Sequence, residues 1–458
     1  MSPKTLLVAL SAAVALPAAA GSVVIPTDVQ LRWADYEVGA IGHFLPISNQ
    51  HGCRDATAFD PHNLDTDAWV RAIAQFGAKY AVFVVRHACG FCLWPTNATV
   101  AETGFAYEHS IKYSPLSGRD LAAEFVASCH KYGVRPALYA AVANNAYMDV
   151  KNNKFNATGK ALVQSAGQYY ELVTQQLTEL WSNYGDLAEV WFDGGIDEKY
   201  VVPLAGLFGR LQPDAVAFQM THTPNGVRWA GTEDGYIHNP RDHKKPPSNP
   251  AYWPSFSTAA SAMDFGSGEA GAPVFAPPVC DVTLQLADNW WYWAGPHGNG
   301  TGRLRSLHDL KGIYHGSVGR NCGLELDWSP MDDGSMNPDD AAAYAAFGKW
   351  IQSCYGRPVA SAAGPAGGAN VTLSIPAGAT IDRMGIMEDQ TQGERITGWQ
   401  IRANGAVVLS GTSVGHKIIQ ILPNATTLTG PATLAFEVTA SLAPPRVRGF
   451  AAFDGANC

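Results

Sequence analysis

Positive charge is scarce in this chain. Lysine and arginine number 31 against 40 aspartates and glutamates, giving a net charge of −9, and only 16% of residues are charged. That balance argues against nucleic acid or an anionic membrane as the main partner. Beyond the first twenty residues there is also no apolar run long enough to span a bilayer. No second C-x-x-C accompanies "HACGFC" (Cys89, Cys92), and no H-x-H stands on the first predicted strand, so the usual zinc spacings are missing. One hydrophobic core rarely serves 458 residues, so two domains are expected.

What the chain does have begins at its N-terminus. "MSPKTLLVALSAAVALPAAAG" carries one lysine, an apolar run from Leu6 to Leu16 and Ala18-Ala19-Ala20 before Gly21. This reads as a secretory signal peptide over residues 1–20, and the mature protein is expected to be secreted. Five N-x-[ST] acceptors follow, at Asn97, Asn156, Asn299, Asn370 and Asn424, which favours glycosylation at some of them. Eight cysteines in an oxidising compartment read as disulfides, Cys89 and Cys92 included. Thirteen tryptophans and 17 tyrosines supply flat rings of the kind that stack on sugar faces.

Apolar strand-like runs alternate with helical patterns up to about residue 355. Strands are predicted at 37–46, 80–87, 134–142, 187–194, 215–220, near 233–238, at 279–284 and at 321–328. The intervening helices include "DTDAWVRAIAQFGA", with Trp69, Ile73 and Phe76 on one face and Asp65 or Thr66 as N-cap. A second helix is expected from Ser117 to Gly133, and a third carries Leu162, Tyr169, Val173, Leu177 and Leu180 and stops at Gly185. About eight such units make a (β/α)8-type, TIM-like barrel, partly irregular between 222 and 300. The Gly/Pro stretch within 357–369 reads as a linker between a barrel domain at 21–356 and a β-sandwich at 370–458.

The active site of such a barrel gathers at the C-terminal ends of its strands. Those ends carry His43, His87, Asn144, Asn145, Asp193, Gln219 and His222. Each alone reads as a hydrogen bond at the edge of the core; their coincidence on one rim reads as a site. In "EVWFDGG", Asp193 ends an apolar run beside Trp191, and the glycines after it let a ligand come close. That suits a nucleophile on an anomeric carbon, which needs a second carboxyl on the same rim. Glu233 in "GVRWAGTEDGY" is best placed, with Glu269, Asp234 and Asp281 as alternatives.

Four blocks then resemble one family. "YYELVTQQLTELWSNYGDLAEVWFDGG" resembles the nucleophile region of the α-L-fucosidases of glycoside hydrolase family 29, and "GAKYAVFVVRHACGFCLWPT" its second-strand motif. "LHDLKGIYHGSVGRNCGLELDWSPMDDG" is similar to its last barrel unit, and "MEDQTQGERITGW" with "VLSGTSVGHKIIQ" to its C-terminal sandwich. The resemblance implies a secreted, retaining exo-α-L-fucosidase acting by double displacement on fucosylated oligosaccharides or glycoprotein glycans, without metal or organic cofactor. It matches Asp193 to the family nucleophile and Glu233 to an acid/base, and it makes His43, His87, Tyr139 and Trp191 substrate-binding residues.

The chain departs from the family pattern in three places. Arg86-His87-Ala88-Cys89-Gly90 stands where Lys-His-His-Asp-Gly is usual, Val279 replaces a glutamate, and "LQLADNWW" replaces "IRPGW". Either the pocket is rebuilt, with Arg86 and Trp290 or Trp291 as candidates, or substrate preference and rate have changed. A related L-sugar such as an α-L-galactoside is an alternative substrate. A catalytically silent L-sugar-binding protein is a second hypothesis, and a metal-dependent hydrolase using His43, His87, His222 and Asp193 a third. The sandwich reads as a structural cap rather than an independent carbohydrate binder.

Overall fold

The computed structural model describes residues 23–46, 48–49, 52–156, 162–220, 222–230, 232–237, 274–286, 291–293, 303–364, 368, 370–422 and 431–458. The predicted signal peptide, Glu269, Trp290 and the acceptors Asn299 and Asn424 lie outside the described residues.

Eight parallel strands close a barrel in chain order. They are β1 (Val38–Gly42), β2 (Tyr80–Arg86), β3 (Arg135–Ala140), β4 (Glu189–Trp191), β5 (Val216–Phe218), β6 (Gly226–Trp229), β7 (Pro278–Val282) and β8 (Gly323–Trp328), with β8 pairing back onto β1. The expected TIM-like barrel is what the chain forms. The sixth strand is the exception in position: it is Gly226–Trp229, not 233–238. Four residues, one of them a buried arginine, are too few and too mixed to read as an apolar run.

Alternation along the strands builds two cores. Ala81, Phe83 and Val85 face the helices, whereas Tyr80, Val82 and Val84 fill the lumen beside Ala137, Tyr139, Trp191, Phe218 and Val279. The outer layer is made by α2 (Thr66–Phe76), α3 (Leu121–Tyr132), α4 (Ala166–Asn183), α5 (Glu198–Leu211), α6 (Leu307–Gly316) and α7 (Pro338–Tyr355). The caps bear out one expected boundary and correct two. Asp65 is the N-cap of α2, Asp120 rather than Ser117 caps α3, and Ser165 caps α4, which leaves Leu162 outside the helix. In each the cap side chain accepts a hydrogen bond from an otherwise orphaned backbone N–H, so the short polar residue sets the start. Among the described residues no helix is long and apolar enough to cross a membrane.

A further helix, α1 (Asp28–Ala34), precedes the barrel and turns Trp33 into its N-terminal end. Beyond α7 come two antiparallel four-stranded sheets. One contains β9 (Ala360–Ala363), β11 (Arg383–Glu388), β14 (Ile418–Ile421) and β16 (Val447–Phe453). The other contains β10 (Asn370–Ile375), β12 (Ile396–Ala403), β13 (Ala406–Gly411) and β15 (Ala432–Ser441). Part of the predicted 357–369 linker is thus a strand, since Ala360–Ala363 pairs with Gly449–Ala452. Its small side chains suit a sheet edge as well as a flexible connector, so composition alone misread it. The sandwich docks at the end of the barrel where the strands begin. There Lys417 pairs with Glu37 at 2.8 Å, and the Asn321 and Ile419 amides donate across the junction to Lys417 and Gly319 carbonyls.

Three disulfides form: Cys53–Cys89, Cys280–Cys322 and Cys354–Cys458. The expectation that all eight cysteines are bridged is corrected. Cys92 and Cys129 are free buried thiols, and Cys89 pairs with Cys53 rather than with its C-x-x-C neighbour. Spacing cannot reveal this choice, because Cys53 reaches Cys89 only through the fold. The sulfurs of Cys53 and Cys89 and the ring of His109 form the one cluster of metal-ligand type among the described residues. With its two sulfurs bonded to each other, that cluster has no thiolate to offer.

Candidate active site

The rim at the strand C-termini encloses a pocket of about 260 Å³, lined by His43, His87, Tyr139, Trp191, Asp193 and Glu233 together with Gln219, Trp229, Asp281, Trp291 and Ile41. All six site residues expected from the sequence therefore meet in one cavity.

Asp193 follows β4 in the turn Phe192–Gly195, where Gly195 N–H closes onto the Phe192 carbonyl at 3.0 Å. Gly194 and Gly195 both have φ near +70°, a conformation that favours glycine. A Cβ on Gly194 would also stand 3.0 Å from the Cβ of Ala143. The glycines thus carry the chain sharply away and leave Asp193 presented to the pocket. Its carboxylate is open to the cavity rather than buried, and Tyr139 Oη donates to Oδ2 at 3.1 Å. Trp191, two residues earlier on the same strand face, stacks on Phe218 at 3.5 Å and on Tyr139 at 5.2 Å.

Glu233 lies four residues beyond the end of β6. It accepts from Trp291 Nε1 at 3.3 Å. Burial raises its pKa, the Trp291 hydrogen bond works against this, and the charge of Asp193 adds to the rise. Asp234 faces elsewhere, holding Thr232 Oγ1 and the Tyr236 amide. Asp281 does line the pocket, where Trp229 Nε1 donates to Oδ1 at 2.7 Å and burial pushes its carboxyl well above the usual range.

His43 and His87 stand side by side, ring centroids 5.7 Å apart, with Tyr292 against both. Asp327 Oδ1 lies 3.0 Å from His43 Nδ1 and fixes that ring, and Trp291 packs on it at 5.0 Å. Burial lowers His43 to about 3 and His87 to about 4, so both are neutral rings able to donate and accept hydrogen bonds at physiological pH.

Other rim residues stay out of the cavity. His222 is turned to solvent against Glu198 at 2.8 Å, so the trio His43, His87 and His222 does not assemble. Asn144 accepts from the Asn152 amide, and buried Asn145 bonds Tyr107. Arg86 does not rebuild the pocket: a bulge between Val84 and Arg86 turns its guanidinium outward, onto the Ala141 carbonyl and Gln176 of α4, and brings His87 inward. Trp291 does reach the pocket, as expected of the altered "LQLADNWW" stretch. Sequence reading missed Trp229, Tyr292, Asp327 and Glu325. Inward alternation on β8 was the available signal for the two acids.

The Alpha-L-fucosidase family model matches residues 48–248. Alpha-L-fucosidase 1 of Arabidopsis thaliana is 26% identical over 351 residues, which covers 72% of this chain and 61% of the plant protein. The chain thus spans about three fifths of the length of that curated relative. A solved structure from Bacteroides thetaiotaomicron VPI-5482, provisionally assigned as an α-L-fucosidase, has a TM-score of 0.79 at 26% identity and covers 94% of this chain and 100% of its own. A Ruminococcus gnavus family 29 fucosidase, solved with fucose, shares the fold at 17% identity and a TM-score of 0.71, covering 95% of this chain and 96% of its own. Across a barrel whose Asp193 and Glu233 share one pocket, the chain is thus similar in sequence and in fold to α-L-fucosidases of glycoside hydrolase family 29.

Proposed function

We propose that this protein is a retaining exo-α-L-fucosidase that releases terminal α-L-fucose from oligosaccharides or glycoprotein glycans. The observation that carries the reading is the pairing of two carboxyls in one pocket with different surroundings. Both are exposed to the cavity, but Asp193 accepts from a tyrosine hydroxyl, while Glu233 accepts from the Trp291 indole and is pushed toward its protonated form by desolvation and by the charge of Asp193. That difference separates a nucleophile from an acid. Asp193 attacks the anomeric carbon and the glycosidic C–O bond breaks, as Glu233 gives its proton to the departing oxygen. Glu233, now ionised, takes a proton from water, whose oxygen attacks the same carbon and frees Asp193. Two inversions retain the configuration. The pocket, about 260 Å³, is slightly smaller than the usual range of ligand sites (about 300–1,000 Å³), which suits one terminal sugar and hence exo action.

An aryl α-L-fucoside followed by proton NMR tests this. The first-formed sugar should be the α-anomer, and Asp193→Ala should abolish turnover; a β-anomer appearing first overturns the mechanism. Export with cleavage after Ala20 is part of the same proposal, and N-terminal sequencing of the secreted protein checks it.

A further inference from the structure

Beneath the pocket floor lies a carboxyl pair that this chemistry does not use. Glu189 of β4 and Glu325 of β8 both point into the lumen from strands that are not neighbours, and both are wholly buried. Their carboxyls hydrogen-bond each other, and among the described residues no cation pairs with either. Two carboxylates in contact in a dry interior cannot both be ionised, so one proton lies between them.

The surrounding donors say where that proton sits. Both oxygens of Glu325 accept: Oε1 from Tyr80 Oη at 2.9 Å and Oε2 from Trp191 Nε1 at 3.2 Å. Glu189 accepts on Oε2 from Trp33 Nε1 at 3.0 Å, and no N–H or O–H of the described residues reaches its Oε1. Glu325 is therefore the anion and Glu189 the acid that donates to it. Burial raises both carboxyls, and the charge of Glu325 raises Glu189 further, in the same order. Tyr80 can reach Glu325 because residue 39, on the strand between, is glycine; a Cβ there would lie 2.3 Å from the ring.

Trp191 connects the pair to the pocket. Its ring lines the cavity and stacks on Tyr139, whose hydroxyl holds Asp193. We propose that Glu325, hydrogen-bonded to a protonated Glu189, is a positioning residue that holds the Trp191 indole and, through the Trp191–Tyr139 stack, sets the Asp193 carboxylate against the sugar. The inference rests on the reading of this pocket as the fucosyl site.

The test uses the full-length protein, an aryl α-L-fucoside and infrared spectroscopy. Glu325→Gln has a single oxygen for donors that now have two, and its amide N–H faces one of them. Its kcat should fall about 10- to 100-fold with KM changed far less, as for a misplaced reacting group. Glu189→Gln keeps a donor at the contact and should lose far less kcat. Among the C=O stretches of buried protonated carboxyls, the wild type should show one component that Glu189→Gln removes while those of Asp281, Asp327 and Glu394 remain. The proposal is overturned if Glu189→Gln loses as much kcat as Glu325→Gln, or if the difference spectrum between wild type and Glu189→Gln shows no lost protonated-carboxyl component. Should Glu325→Gln fail to fold, that component and the kcat of Glu189→Gln still decide. A wild type that cleaves no α-L-fucoside, yet shows the component and its loss, would sink the functional reading and leave the shared proton standing.

Discussion

Glu233 acquires its proposed role from desolvation and two neighbours, Asp193 across the pocket and the Trp291 indole N–H. Only the last favours its ionised form. A general acid must be protonated, so activity should fall as pH rises through the Glu233 pKa, on a basic limb above the ordinary glutamate range of about 4.3. Trp291→Phe removes the hydrogen bond that stabilises the carboxylate, so that limb should move to higher pH in a kcat/KM profile. A limb that moves down, or does not move, would refute this assignment. Glu233→Gln should lower kcat/KM by about 10²- to 10⁴-fold on a natural glycan. The loss should be much smaller on an aryl fucoside whose leaving group needs no proton. Of these residues Asp193 was legible in the sequence because motif and strand end coincide there, and Glu233 through its loop motif alone. Trp229 and Tyr292 were not, because nothing in their local sequence says which way they face, and for Asp327 the alternation along β8 gave the direction but not the partner, His43.

At the scale of single elements, two short segments decide what the rim presents. The turn after β4 needs φ near +73° at Gly194 with Ala143 close by. Gly194→Ala should cost about 1–3 kcal/mol of stability through backbone strain. By displacing Asp193 it should also lower kcat about 10- to 100-fold. Thermal unfolding and steady-state kinetics measure the two separately, and wild-type kcat would mean that Asp193 does not depend on this turn. The bulge in β2 is the other segment. It reverses Arg86 and His87 relative to a regular strand, which explains why an arginine in a sugar-pocket motif ends up bonded to α4. A one-residue slip moves side chains to the opposite face, and no periodicity argument detects it in advance.

Over the whole molecule, buried titratable groups set how stability depends on pH. Burial lowers His43 to about 3 and His87, His109, His315 and His416 to about 4. Unfolded histidine titrates near 6.5, so their contribution is complete above that pH and is lost as pH falls toward 4. Glu189, Asp281, Asp327 and Glu394 are raised well above the carboxylate range by burial. They stay protonated when folded but ionise near 4 when unfolded, so their contribution is lost as pH rises toward the folded values. Above about 6.5 the histidine contribution is flat and only the carboxyls vary. The unfolding midpoint should therefore be lower at pH 8 than at pH 6.5; a midpoint that rises across that interval would show the four carboxyls to be ionised in the folded protein. The sandwich docks at the barrel end away from the pocket, a position consistent with a structural cap.

The alternation of apolar runs with amphipathic helices was enough to specify a barrel, and the end of the repeat marked the sandwich. Both are local patterns, written in spacings of two and of about 3.6 residues. The acid ahead of two glycines likewise carried its own signal. Other features depended on contacts across the fold. Cys53 with Cys89, Glu189 with Glu325 and Asp327 behind His43 join residues far apart in the chain. The position of β6, the linker that became β9 and the outward turn of Arg86 were set by pairing with neighbouring strands. Local sequence expresses what a segment can bury, but which groups meet inside the barrel is decided only when its eight strands close.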